Sequence, residues 1–280
     1  MFKLIFSFLI INFLLLINSC SSQTNEQEQK NDQRDIPGWK LVWADEFDNN
    51  GLPDPQKWGF EVAAPGWVNN EAQAYTDKRL ENARVENGKL IIEARMDNYQ
   101  NNLYTSARLV SRNRGDWTYG RFEIRAKLPY GRGTWPAIWM MPTISNLGNK
   151  GWPDNGEIDI MEHVGYDPGT VHASTHCNKY VHTKGTQKTA TTKMLDVMTT
   201  FHKYILEWDA SEIKIYLDDK LYFVNQNENK GWEYWPFFKD FYFVLNIAIG
   251  GNWGGAQGID NNIFPQKMEI DYVRVYSKAN

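Results

Sequence analysis

Cysteine is nearly missing from this 280-residue chain: there are two, Cys20 and Cys177. A disulfide framework is therefore excluded, and a domain of this length must be held by its core. An excess of positive charge is missing too. Thirty Lys and Arg stand against 34 Asp and Glu, a formal net charge of −4 with a pI near 5.8, which argues against a partner whose phosphates must be neutralised, so no nucleic acid is expected. Nor is there a long hydrophobic run. The longest, Leu4 to Ile17, is interrupted by Ser7 and Asn12 and falls short of the ~20 residues a spanning helix needs. Finally, no segment carries a sustained helical stripe; residues 191–201 are the only modest candidate. What the chain has in abundance is aromatic side chains, 12 Trp beside 14 Tyr and 14 Phe. Core packing alone rarely asks for so many indoles, because each needs a partner for its N–H when buried.

The apolar run behind Lys3 suits the core of a signal peptide. It ends in Ile17-Asn18-Ser19-Cys20, which resembles a bacterial lipobox, with Asn18 as the departure from the favoured pattern. Residues 1–20 are accordingly expected to be a lipoprotein signal peptide, Cys20 the lipidated residue, and the product an exported bacterial lipoprotein anchored at the outer membrane or cell surface. An ordinary signal peptide cleaved without lipid is the alternative. From Ser21 to Asp35 there is no aliphatic or aromatic residue, so residues 21–36 are expected to be a disordered polar tether. One domain follows over residues 37–280, without a fixed-period repeat, and a monomer is expected.

Within that domain short alternating segments are broken by Gly, Pro, Asn and Asp. Examples are Gly120-Arg121-Phe122-Glu123-Ile124-Arg125-Ala126-Lys127, Glu212-Ile213-Lys214-Ile215-Tyr216-Leu217 and Met268-Glu269-Ile270-Asp271-Tyr272-Val273-Arg274-Val275-Tyr276. Period two with β-branched and aromatic enrichment reads as strands. Many such strands without helices predict an all-β fold, a β-sandwich or jelly roll, whose curved sheet offers a concave cleft.

The most informative stretch is Gly156-Glu157-Ile158-Asp159-Ile160-Met161-Glu162-His163. On a helix Glu157 and Glu162 would diverge by about 140°. On a regular strand Glu157 and Asp159 share a face, while Glu162 falls on the other. One bulge at Ile160-Met161 returns Glu162 to the first face and leaves Ile158 and Ile160 for the core. Two carboxyls about 5 to 5.5 Å apart are what a retaining glycosidase uses, one attacking the anomeric carbon and the other protonating the leaving oxygen. Neighbouring negative charge raises the pKa of the acid. A merely exposed acidic strand is the bland alternative. A metal site is the weaker one, since there is no His-Glu-x-x-His and Cys177 stands alone.

These residues resemble the glycoside hydrolase family 16 enzymes, and within them the bacterial laminarinases, or endo-1,3-β-glucanases. The likeness runs over residues 39–277 and rests on Glu157-Ile158-Asp159-Ile160-Met161-Glu162. It rests also on Trp43-Ala44-Asp45-Glu46-Phe47-Asp48, Tyr119-Gly120-Arg121-Phe122-Glu123, Gly131-Arg132-Gly133-Thr134-Trp135-Pro136-Ala137-Ile138-Trp139-Met140-Met141, and Asn246-Ile247-Ala248-Ile249-Gly250-Gly251-Asn252-Trp253. The resemblance implies a jelly roll of the concanavalin A-like lectin/glucanase type and retaining cleavage of β-1,3-glucan such as laminarin. It implies Glu157 as nucleophile, Glu162 as acid/base and Asp159 as the residue that tunes the nucleophile. Mixed-linkage glucan, agar or carrageenan, and a non-catalytic surface glycan-binding role, are the alternatives; a net acidic chain weakens the sulfated substrate.

A glucan offers apolar C–H faces with a hydroxyl rim, so aromatic walls and a few polar groups are expected around it. Trp135 and Trp139, four apart on one strand, and Trp253 in a Gly-rich loop are assigned to the cleft, whereas Trp43, Trp58 and Trp208 are assigned to the core. By resemblance Asn70 closes one end of the cleft and donates to sugar hydroxyls, Arg108 lines it, and His176 lies beside the acid/base. Against these stand a plain polar turn for Asn70 and a structural histidine for His176; no function is assigned to His163, His172, His182 or His202. No cofactor is expected for catalysis. The resemblance also implies a structural Ca²⁺ on the convex side at Glu46, the Gly88 carbonyl and Asp271, hard oxygen donors suited to that ion.

Overall fold

A computed structural model of the chain describes residues 34–279. The expected signal peptide, Cys20 and the tether up to residue 33 lie outside the described residues. The described ends, residues 34–41 and 278–279, form a unit of their own in which the Ala279 N–H donates to the Gly38 carbonyl at 2.9 Å. The other unit is Val42–Ser277.

Strands dominate, and they are numbered β1–β18 in chain order. An eight-stranded sheet runs β13 (Lys188–Lys193), β12 (Thr170–His176), β11 (Glu157–Glu162), β10 (Thr134–Pro142), β17 (Phe241–Ile249), β7 (Arg108–Val110) and β2 (Gly59–Phe60), with β8 (Asp116–Trp117) beside β17. A ten-stranded sheet runs β16 (Lys220–Gln226), β15 (Glu212–Leu217), β14 (His202–Trp208), β9 (Gly120–Lys127), β18 (Gln266–Lys278), β5 (Lys89–Tyr99), β6 (Asn102–Ser106) and β3 (Gln73–Tyr75), with β1 (Trp39–Asp45) and β4 (Ala83–Glu86) off this path. Along the two strand orders neighbours are antiparallel except β3 and β6. The expected all-β jelly roll is therefore what forms.

Alternation explains why these segments pair as they do. In β9, Phe122, Ile124 and Ala126 are fully buried, and in β17 Phe243, Leu245, Ile247 and Ile249 are too. These faces meet in one core. Phe122 of the ten-stranded sheet packs edge-on against Phe243 of the eight-stranded sheet at 5.7 Å, and Trp208 against Phe241 at 5.4 Å. Trp58 and Trp208 belong to this interior, and each indole N–H has an acceptor, the Asp45 carboxylate at 2.8 Å and the Phe237 carbonyl at 3.1 Å. Trp43 is half-buried against the same cluster.

Among the described residues the helical content is two 3₁₀ turns, His182–Lys184 and Asn261–Ile263. The helix considered for residues 191–201 does not form. Its first residues, Thr191 to Lys193, continue β13 against Thr170–His172, and beyond them the Thr199 and Thr200 N–H groups close a turn onto the Asp196 carbonyl at 2.9 and 2.8 Å. Pairing along β12 outweighs a weak helical pattern rich in β-branched threonine.

The exit of β11 is fixed by a close approach. The Gly165 N–H donates to the Thr134 carbonyl at 2.9 Å, and a Cβ at Gly165 would sit 1.8 Å from the Gly131 carbonyl oxygen. Only glycine fits there.

Candidate active site

The inserted residue in β11 lies where the sequence pattern predicts. Against β10, Trp139 faces Asp159 and Ile138 faces Met161, so Ile160 is left over; against β12, Asp159 faces Ser174 and Glu162 faces His172 with a register shift between them. Ile158, Ile160 and Met161 are fully buried in the core, and Glu157, Asp159 and Glu162 turn together to the outer face.

Cross-strand register then lays side chains in rows over that face. One row reads Arg108, Asn246, Ala137, Glu162, His172 across β7, β17, β10, β11 and β12, and the next reads Val110, Val244, Trp139, Asp159, Ser174. Trp135 and Trp139 stand on either side of Ala137 on the same face. The Trp135 indole N–H donates to Glu162 Oε1 at 3.0 Å, and the Trp253 ring meets Trp135 edge-on at 5.4 Å and His172 at 4.9 Å.

Trp139 is held by a relay. Its N–H donates to Asn246 Oδ1 at 2.8 Å, the Asn246 amide donates to the Tyr75 hydroxyl at 3.0 Å, and that hydroxyl donates to Glu71 Oε2 at 3.2 Å. The Arg108 guanidinium lies between the Trp139 and Trp67 rings, 4.6 and 5.1 Å from their centroids, and its charge is taken by Glu61 at 2.6 Å. Asn70, in a left-handed turn at φ 54°, donates from its amide to Asn252 Oδ1 at 2.8 Å and so ties its loop to the one carrying Trp253.

His176 stands against the acids and acts on Glu162 as well as Glu157. Register places it opposite Glu157, with Nε2 3.2 Å from Asp159 Oδ2 and 3.9 Å from Glu157 Oε1; His172 is the histidine opposite Glu162. Sequence reading also passed over Trp152, whose N–H donates to Glu157 Oε2 at 2.7 Å from a loop five residues upstream. Nothing in the spacing signals a loop indole folding back, and the Glu71 relay is equally hidden because its members are far apart in sequence.

Gathering three acids on a water-poor face has an electrostatic consequence. Burial, then the charge of Asp159, pushes Glu157 up to about 8. Burial, then Glu157, pushes Glu162 up to about 7, opposed by the Trp135 N–H. Asp159, almost wholly buried, is raised well above its usual value by burial and by Glu162. The set therefore keeps protons at neutral pH that isolated carboxyls would lose. Glu157 and Glu162 each have an indole N–H donor, Trp152 and Trp135, and the charge of His176 favours the anion of both. An ionised acid beside a protonated one, under a wall of indoles, is the equipment of glycosidic bond cleavage.

At the expected calcium positions, Glu46 accepts from Nε and Nη2 of Arg274, at 2.9 and 3.0 Å, and Asp271 pairs with Arg125 at 2.6 Å. Gly88 takes a left-handed turn at φ 71° after β4. Both carboxylates of the expected donor set are thus engaged by guanidinium groups.

A model of the glycosyl hydrolases family 16 matches residues 69–274. A β-glucanase of Rhodothermus marinus is 51% identical over 270 residues, covering 94% of this chain and 93% of its own. A glucan endo-1,3-β-glucosidase of Cryptopygus antarcticus is 36% identical, covering 85% of this chain and 92% of its own. Among solved structures, the laminarinase from Rhodothermus marinus superimposes with a TM-score of 0.86 at 52% identity, covering 88% of this chain and all of that one.

The raised carboxyls set a pH dependence of stability. Their folded pKa values exceed the unfolded ones, so the folded state binds the extra protons, and its stability falls as pH rises from about 4.5 through about 8. Glu157→Gln should therefore gain stability over the wild type progressively across that window, reaching on the order of 5 kcal/mol above pH 8. Urea denaturation at stepped pH measures it, and a difference that does not change with pH contradicts the electrostatic account.

Proposed function

The chain belongs to the glycosyl hydrolases family 16, and on that premise we propose that it is an endo-glycoside hydrolase cleaving β-1,3-glucan by double displacement with retention. The observation that carries the reading is the bulged strand β11, which presents Glu157, Asp159 and Glu162 on one face beside Trp135, Trp139 and Trp253.

In this reading the glucan lies with its C–H faces on the three indoles. The Glu157 carboxylate attacks the anomeric carbon while Glu162 gives its proton to the leaving glycosidic oxygen, and the chain beyond that oxygen departs. Glu162, now ionised, takes a proton from a water that displaces Glu157 and frees the sugar with its original configuration. Asp159, adjacent to Glu157, tunes the nucleophile. The N–H groups of Trp152 and Trp135 aim the two carboxyls, which supports the division of roles because each acid has its own donor. His176, beside Glu157 and Asp159, together with Asn70 and Arg108, is assigned to the sugar hydroxyls. Arg108 is already neutralised by Glu61, which favours a neutral glucan over a sulfated polymer.

Reducing-sugar release from laminarin tests the reading. Glu157→Ser is expected to lower kcat by roughly three or more orders of magnitude. No release by the wild type would leave a glycan-binding role, and undiminished release by the variant would remove Glu157 from the chemistry.

Two further assignments rest on sequence alone. The apolar run before Ile17-Asn18-Ser19-Cys20 supports export as a monomer anchored to a membrane by lipid on Cys20; incorporation of a labelled fatty acid, lost in Cys20→Ala, is the expected result, and label retained by that variant places the lipid elsewhere. The oxygen donors of Glu46, Gly88 and Asp271 support a structural calcium ion. Chelation by EDTA is then expected to lower Tm by several degrees and leave kcat unchanged below the new transition, whereas an unaltered Tm rejects the site.

A further inference from the structure

The densest aromatic stretch in the chain, Gly231-Trp232-Glu233-Tyr234-Trp235-Pro236-Phe237-Phe238, takes no part in the cleft described above. It follows β16 and builds one side of a cavity of about 330 Å³ whose lining includes Tyr119, Trp232, Trp235, Phe238, Asn227 and Asn229. That volume falls at the lower end of the range of small-ligand sites. We infer that this pocket is a second, non-catalytic glycan contact, holding a sugar unit of the same neutral β-glucan polymer away from the point of cleavage.

The chemistry of the lining carries the inference. Four aromatic rings around one opening supply flat apolar surface for pyranose C–H faces. They are not simply core: Phe238 is 49% exposed, and Trp232 and Tyr119 are half-buried. Asn227 and Asn229 add amide groups to the wall, Asn229 exposed at the rim, which suits sugar hydroxyls. Trp235, 4% exposed, also lines the cavity.

The pocket is also rigidly referred to the catalytic strand. Gly156, directly before Glu157, adopts φ 89°, and a Cβ there would lie 2.9 Å from the Pro236 ring. The Trp232 ring packs close to Gly148, in the loop that carries Trp152. A polymer held here stays at a fixed relation to the acids, and a second point of attachment to the same chain raises its local concentration without altering the chemistry.

The inference rests on the glucan reading for its ligand, and the test separates the two. In a Glu157→Ser background, which leaves the polymer intact, retention on insoluble β-1,3-glucan is compared with and without Trp232→Ala or Phe238→Ala. In an otherwise wild-type background the same substitutions are assayed on a short soluble β-1,3-oligosaccharide. Retention is expected to fall by about fivefold or more, while kcat/KM on the short substrate stays within about twofold. Unchanged retention in both variants overturns the pocket, and so does an equal loss on the short substrate, which would make it part of the cleft. The exposed ring of Phe238 keeps the test decisive if Trp232→Ala fails to fold. Absence of hydrolysis by the unsubstituted enzyme would instead count against the glucanase reading, and the retention comparison still reads out on its own.

Discussion

A strand has a period of two, so acids at 157, 159 and 162 cannot share a face unless one residue is inserted between them. The pairing of β11 with both neighbours places that residue at Ile160, and the rest of the site follows from it. With Ile160 and Met161 both turned into the core, Glu162 comes round beside Trp135, and the row that crosses the sheet puts Ala137 and His172 on either side of it, with Asn246 beyond Ala137. Without the insertion Glu162 would face the sandwich interior, where an isolated charge is untenable.

The insertion also creates an electrostatic load that the surroundings answer. Three carboxyls on one face repel, and burial raises all of them. The response is local: one indole N–H for Glu157, another for Glu162, and a histidine against Asp159 and Glu157. Glu71, Tyr75 and Asn246 act one layer further out, fixing the ring of Trp139. The aromatic excess of the composition is thereby divided among tasks. Trp58 and Trp208 fill the core, Trp135, Trp139 and Trp253 form the cleft wall, and Trp67 and Trp152 serve Arg108 and Glu157.

The parts of this arrangement that were legible in the sequence are those set by local periodicity. Alternation marked the strands, an odd offset between acids marked the bulge, and the spacing of Trp135 and Trp139 put them on one face. Parts set by long-range register were hidden. Which histidine of β12 stands opposite which acid depends on a pairing offset that no single strand encodes: His176 is opposite Glu157 and His172 opposite Glu162. Loop contributions were hidden for the same reason: Trp152 reaches Glu157 only because its loop turns back over the start of β11. The weak helical pattern at residues 191–201 misled because a sheet edge needing a partner strand prevails over a marginal helix.

Cys177 adds a different kind of consequence. It is the one cysteine among the described residues, it is 2% exposed, and burial raises its thiol above the ordinary value. A thiol in that condition is mostly un-ionised and unreactive. The sandwich is thus indifferent to redox conditions: it can assemble in a reducing cytoplasm or an oxidising exterior from the same contacts, with no oxidant to wait for and no mispaired bridge to undo.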